Sequence, residues 1–235
     1  MSNDYLDLLA YFGIGGAHPG GFPLTQTILE NENIQPGKSV LDIGCGTGQT
    51  AAFLASRFGC DVTAIDNHPI MAEKARERFI NKEYSVKVIE GNIENLPFVD
   101  NSFDIILSES VIVFTNISKT LRELSRVLKR NGSMIMIEMI AEQTPSEELK
   151  RKVHSLYGIH EILQVEEWIA TLLQAGFTHI ETINISTEIA PTEISDINQS
   201  ENINSSLYDL LAQHNEFMLN NGHLIGFRAF RCNID

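Results

Sequence analysis

Residues 40–48 read Val-Leu-Asp-Ile-Gly-Cys-Gly-Thr-Gly, a short apolar run followed by a turn with almost no side chains. Val40 to Ile43 is predicted to be a buried strand, and Gln49 to Phe58 the helix after it. A strand that feeds a helix through glycines brings a ligand directly against backbone at a helix N-terminus. Asp42 selects among ligands. Its carboxylate, at the mouth of the turn, repels a pyrophosphate and suits a ligand that carries a positive amino group. The spacing is Gly-x-Gly-x-Gly, and Gln49 stands where the dinucleotide fingerprint has its third glycine. No Gly-Lys-Ser/Thr follows, so the phosphate-binding loop of nucleoside triphosphatases does not fit either.

Outward from this turn, apolar strands alternate with amphipathic helices. Val62–Ile65 ends at Asp66, Val86–Ile89 and Phe103–Leu107 are further strands, and Met134–Ile137 is a fifth. Helices are predicted at 69–79 and from about Ser118 to Lys129, where Ile117, Leu121, Leu124 and Leu128 share one face. Asn131-Gly132 is expected to cap that second helix. Such an alternation means a parallel sheet covered on both faces, with ligands bound beyond the carboxyl ends of the strands. Asp42, Asp66, Asn92, Glu109 and Glu138 all fall at or just past such ends.

The remainder is less regular. Thr144-Pro-Ser-Glu147 has capping-box spacing and predicts a helix to about His154. Val165–Gln174 reads as a helix, Ile180–Ile185 as a strand, 190–204 as a polar surface excursion, and Ser206–Leu219 as a helix. Leu224–Phe230 is predicted to join the sheet at its edge. Ahead of the sheet, Asp4–Phe12 and Leu24–Asn31 are short helices flanking a loop, 13–23, with five glycines and two prolines. That loop suits a flexible lid or a surface of close approach.

The chain has 235 residues and a formal net charge of −14, which argues against nucleic-acid or anionic-membrane partners. No apolar stretch is long enough to span a bilayer and no signal peptide opens the chain, so a cytoplasmic location is expected. Cys45, Cys60 and Cys232 lack metal-ligand spacing and read as reduced thiols, with no metal site. Lys129 and Arg130 are expected to close a helix, where cations suit the dipole.

Residues 38–140 resemble the class I S-adenosylmethionine-dependent methyltransferases, in the branch that includes ubiquinone/menaquinone-type enzymes. The matching stretches are 40–48, Val62-Thr-Ala-Ile-Asp66, Glu90-Gly-Asn-Ile-Glu-Asn-Leu-Pro-Phe98, Phe103-Asp-Ile-Ile-Leu-Ser-Glu109 and Leu121 to Gly132. The resemblance implies an α/β, Rossmann-like doubly wound, mainly parallel seven-stranded sheet. An N-terminal lid, 1–35, would precede a cofactor domain, 36–235, with an insertion at about 141–164 and an excursion at about 190–220. It implies S-adenosylmethionine as cofactor, its methionine part against Gly44, Gly46 and Gly48 and its ammonium near Asp42. Asp66 would take the ribose hydroxyls, although capping the next helix explains that residue as well.

Asn67 and Ile93 would flank the adenine, with Met71 nearby. Asn92 would accept from the adenine amino group, where similar proteins usually have Asp. Ser108 and Glu109 would face the reacting centre, with Glu109 orienting the acceptor or taking a proton. From the lid, Tyr11, His18 and Thr25 would touch the methionine end or the acceptor, and His18 joins Glu109 as a catalytic candidate. His154, Tyr157 and His160 lie in the insertion that would roof the acceptor, at least two of them in solvent. A small-molecule acceptor is expected, because 108–111 is Ser-Glu-Ser-Val and not the Asn/Asp-Pro-Pro-Tyr of many base-methylating enzymes. A non-catalytic, S-adenosylmethionine-binding partner subunit is the alternative from another class.

Overall fold

The structure, a computed structural model, describes residues 3–80, 82–84, 86–185 and 196–235. Seven strands form one sheet: β1 (Ser39–Ile43), β2 (Asp61–Asp66), β3 (Val86–Glu90), β4 (Phe103–Glu109), β5 (Leu128–Ala141), β6 (His179–Ile183) and β7 (Ile225–Asn233). Their order is β3-β2-β1-β4-β5-β7-β6, and β7 alone runs against its neighbours. The expected mainly parallel, doubly wound sheet is what the chain forms. Strand order reverses between β1 and β4, and this opens a crevice at their carboxyl ends.

Strand periodicity divides the core between the two faces of the sheet. Leu41 and Ile43 of β1 pack with Leu121, Leu124 and Val127 of α5 (Ile117–Val127) and with Trp168 of α7 (Val165–Gln174). Val40 faces the other way, toward Leu54 of α3 (Gln49–Phe58) and Ala75 of α4 (Pro69–Phe79). Asp42 shares the parity of Val40, so an apolar strand delivers one carboxylate at its end to the α3 side.

Five details depart from the expectations of the sequence. β7 lies between β5 and β6, and β6 is the edge. The reason is composition: β7 is nearly all buried, whereas β6 exposes His179, Glu181 and Thr182. Helix α5 stops at Val127, and Leu128 already pairs with Phe103, so β5 is longer than predicted. Asn131, at φ +59°, then sits in an irregularity of β5 and caps no helix. Lys129 closes no helix either; its Nζ lies 2.8 Å from Asp104 Oδ2. Finally, Ser146 and not Thr144 caps α6 (Glu147–Tyr157), its Oγ accepting from Leu149 N at 3.2 Å. Pro145 is therefore outside that helix.

Three helices stand beyond the carboxyl edge of the sheet: α1 (Asp4–Phe12), α6 and α8 (Ser205–Asn221). Tyr5 meets Tyr157 edge-on at 4.8 Å, and Asn3, which caps α1, donates to Tyr157 O at 2.8 Å. α2 (Gly21–Glu30) completes the N-terminal segment. Residues 196–200 run alongside the glycine-rich loop as a strap. Gly15 N donates to Asp196 O at 2.9 Å, Asn198 N to Gly13 O at 2.9 Å, and Ser200 N to Tyr11 O at 2.8 Å. The buried Lys74 ammonium joins both, donating to Ala10 O and Asn198 O. Arg78 and Thr47 bind the Asp196 carboxylate and tie the strap to the turn after β1. Part of the predicted excursion, 186–195, lies outside the described residues.

Candidate functional site

A cavity of about 440 Å³ occupies the crevice at the carboxyl ends of β1, β2, β4 and β5. Of the residues expected at a cofactor or catalytic position, Asp42, Gly44, Gly46, Asp66, Asn67, Met71, Ile93, His18 and Glu109 line it. Five do not. Gly48 begins α3 and faces Phe79; Thr25 and Ser108 lie one layer behind the wall. Tyr11, in α1, accepts from Ser200 of the strap through its backbone oxygen, and Asn92 is exposed, its Oδ1 accepting from Glu94 N at 2.8 Å in a local turn. An Asx side chain can take the backbone amide two residues on in place of a contact across the cavity.

The turn itself explains its glycines at two positions. Gly44 has φ +58°, and a Cβ there would stand 2.4 Å from Val111 Cγ2. Gly46 has φ +53°, and a Cβ there meets nothing within 4 Å. Gly44 is therefore required by packing, while Gly46 leaves a bare stretch of cavity wall. The Gly46 amide donates to Asp66 Oδ2 at 2.9 Å, and the His68 amide donates to Oδ1 at 2.8 Å. Both Asp66 oxygens are thus fixed by backbone, with further lone pairs still toward the cavity. Cys45 is buried, and burial raises its thiol well above the ordinary range, so it is no nucleophile.

The wall is acidic and incompletely hydrogen-bonded. Asp42 is 2% exposed, and its carboxyl is raised well above the usual range by burial, then by Glu109 and Asp66. Burial raises Asp66 as well. Six buried side-chain atoms among the described residues have no hydrogen-bond partner. Four of them (Asp42 Oδ2, Gln49 Oε1, His68 Nδ1 and Ser110 Oγ) belong to residues of this one cavity. Unmet polar atoms are rare in folded chains, and four around one space mark a site for a polar ligand.

Glu109, at the end of β4, joins the N-terminal segment to the sheet. Its Oε1 accepts from Thr25 Oγ1 and lies 3.3 Å from His18 Nε2, and its Oε2 accepts from Thr50 Oγ1 at 2.8 Å. His18 Nδ1 lies 3.1 Å from Pro19 O. This brings His18 and Thr25 onto the carboxylate of Glu109, more than eighty residues further along the chain. Thr50, on the first turn of α3, is the fourth member, and sequence spacing does not mark it.

Glu138, on β5, is fully buried behind this wall. Its Oε1 accepts from Ser108 Oγ at 2.9 Å, Ile112 N at 3.1 Å and Val111 N at 3.3 Å. These bonds hold the turn that carries Ser110 at φ +57°. Burial pushes the Glu138 carboxyl up to about 7 despite the bonds. A raised carboxyl keeps its proton in the folded state after the unfolded chain has lost it. Its contribution is therefore full below about pH 4.5 and declines as pH rises through 7. The amount is on the order of 3 kcal/mol. Glu138→Gln, which copies the protonated form, is expected to raise Tm by about 5 °C or more at pH 8 and to change little at pH 4.5. Thermal melts at both pH values check this, and a lower Tm at both would overturn it.

The comparisons with known proteins agree with this geometry. Residues 41–136 match a family described as a methyltransferase domain. The chain is 37% identical over 217 residues to YodH, an uncharacterized methyltransferase of Bacillus subtilis (strain 168), over 91% of this chain and 92% of that protein. It is 31% identical over 172 residues to phosphoethanolamine N-methyltransferase 1 of Arabidopsis thaliana, over 72% of this chain. Among solved structures it is similar to phosphoethanolamine N-methyltransferase 2 of Haemonchus contortus in complex with S-adenosyl-L-methionine, at TM-score 0.79 and 25% identity over 100% of this chain. This chain spans 34% of the Arabidopsis protein and 60% of the Haemonchus chain.

Proposed function

The chain belongs to the class I S-adenosylmethionine-dependent methyltransferases, and from that premise we propose that it methylates a small molecule held in the cavity beneath its N-terminal segment. The cofactor is S-adenosylmethionine, which supplies a methyl group already activated on a positively charged sulfur. The residues present suit it. Asp42 offers an unmet carboxylate oxygen to an ammonium, Gly46 leaves bare wall, and Asp66 has lone pairs left for hydroxyls. Asn67, Met71 and Ile93 would line the base. Asn92 is left out of that set, since its side chain is exposed and does not line the cavity.

One observation carries the acceptor part of the reading. The same cavity continues without a break from the glycine turn to a chamber under α1, α6 and α8. A space walled by three helices admits a compact molecule and not a duplex or a folded protein surface. Direct displacement needs alignment and exclusion of water more than acid–base help, and alignment contributes roughly 7–11 kcal/mol. Here Glu109 draws Thr25 and His18 onto α3, and the Asp196 strap holds the loop from outside. His18 and Glu109 line the same cavity, which supports a role for them in receiving a proton from the acceptor.

Turnover with methyl-labelled S-adenosylmethionine over a panel of metabolites tests this, with label expected in a low-mass product. Label in protein or nucleic acid from the same extract, and none in small molecules, would overturn the reading. Glu109→Gln keeps one acceptor oxygen and replaces the other with an NH2 donor, so one of the two threonines loses its acceptor and the charge is lost from both bonds. It is expected to lower kcat/KM about 10–100-fold with Tm nearly unchanged. Unchanged kinetics would remove Glu109 from the machinery.

A further inference from the structure

We infer that the far end of the cavity takes an uncharged, largely apolar acceptor whose single hydroxyl or arylamine hydrogen-bonds to His214, one half of a Tyr157–His214 pair. The inference rests on the reading above, that the acceptor is a small molecule bound in this cavity. Away from the glycine turn Thr115, His214 and Asn215 are polar members of the wall, and the larger part is Tyr5, Phe114, Met139 and Met218. These last are aromatic rings and flexible apolar chains, which bind through area and shape. No Lys or Arg is among the described residues lining the cavity, while Asp42, Asp66 and Glu109 are. Phosphate and carboxylate groups are recognised by paired cationic donors. An acceptor bearing one would enter an acidic space with none to meet it.

Against those apolar walls the Tyr157–His214 pair stands out. Tyr157 Oη and His214 Nδ1 are 2.9 Å apart, which engages Nδ1 and leaves Nε2 without a bond among the described residues. Tyr5 and Tyr157 pack on the imidazole with ring centroids at 5.6 and 5.8 Å, so the ring is held in place. Burial lowers the His214 pKa and raises that of Tyr157, so both are neutral at pH 7. A neutral imidazole suits a hydroxyl or arylamine and gives no charge to an anion. His214 and Met218 are one turn apart on α8, and Tyr157 ends α6. Both helices lie outside the sheet. Their placement makes the chamber a property of this chain's additions to the fold, separate from the cofactor turn.

The test is a titration of the S-adenosylhomocysteine-loaded protein with 2-naphthol, naphthalene and phosphoethanolamine. The wild type is expected to bind 2-naphthol about tenfold more tightly than naphthalene, as one added hydrogen bond predicts. Phosphoethanolamine is expected to bind weakest. His214→Phe keeps a ring and removes the nitrogen. It should erase the tenfold preference while leaving naphthalene and S-adenosylhomocysteine affinities unchanged. Tyr157→Phe should shrink the preference, and unchanged S-adenosylhomocysteine affinity certifies the fold of both variants. Preference for phosphoethanolamine, or a naphthol preference that survives His214→Phe, overturns this inference alone. Binding of S-adenosylhomocysteine but of none of the three probes overturns the small-molecule reading and this inference together.

Discussion

Gly46→Ala is expected to leave the protein folded and to weaken S-adenosylmethionine binding at least tenfold, whereas Gly44→Ala is expected to damage the fold. Both residues occupy the left-handed region, so alanine costs about 1–2 kcal/mol at either one. The difference lies in what the methyl meets. At position 44 it would stand 2.4 Å from Val111 Cγ2 and 2.6 Å from Cγ1, on a stiff β-branched side chain. Overpacking of that kind adds about 1–3 kcal/mol. At about 2–4 °C per kcal/mol for a chain of this size, Tm should fall roughly 10 °C. At position 46 the methyl meets no protein atom within 4 Å and occupies cavity wall instead. Its Tm should fall only a few degrees, with the larger loss in affinity. Calorimetric titration and thermal melts of the two variants separate these outcomes. Equal binding by Gly46→Ala and wild type would show that the ligand does not lie against this turn.

Asp42→Asn should trade binding for stability. The Asp42 carboxyl is raised by burial and by its acidic neighbours, so the folded protein gives up its proton reluctantly. Its contribution to stability is full below about pH 3.9 and is lost as pH rises, because the unfolded chain then ionises more readily. Asparagine removes that cost. The ligand-free variant is expected to melt higher than wild type at pH 8, with a smaller gain at pH 5. An ammonium beside Asp42 repays the charge in wild type and cannot do so in the variant. A hydrogen bond to a charged group contributes about 1.5–3 kcal/mol, so affinity for S-adenosylmethionine should fall about 10–150-fold. The rise in Tm caused by ligand should shrink with it. An asparagine variant that binds as well as wild type would place the ammonium elsewhere.

Much of the sheet was legible in the chain because its signals are local. Val40–Ile43, Val62–Ile65 and Phe103–Leu107 are apolar runs with acids at their ends, and each forms a strand with those acids at the cavity edge. Asn131-Gly132 resembles a helix cap and predicts a β5 shorter than the one formed. Pairing of Leu128 with Phe103 overrides that local preference. Leu224–Phe230 carries no local marker of sheet order, and only its burial against both β5 and β6 decides that β7 is not the edge. Asn92 matched a family position by spacing, but the Asx turn that occupies its oxygen depends on one rotamer.

Local sequence signals suffice for the end of the cavity proposed to hold the cofactor. Asp42, Gly44, Gly46 and Asp66 lie on short strand-to-helix connections whose geometry follows from the adjacent backbone, so spacing alone brings them together. The tertiary structure decided the rest. Glu109 meets Thr25 across 84 residues and Thr50 across 59, Arg78 reaches Asp196 across 118, and Tyr157 meets His214 across 57. No periodicity or turn chemistry encodes such pairs, since they form only after separate helices pack on the same edge of the sheet. On the proposed function, the glycine turn meets the methyl donor, and the packing of α1, α6 and α8 shapes the space for the acceptor.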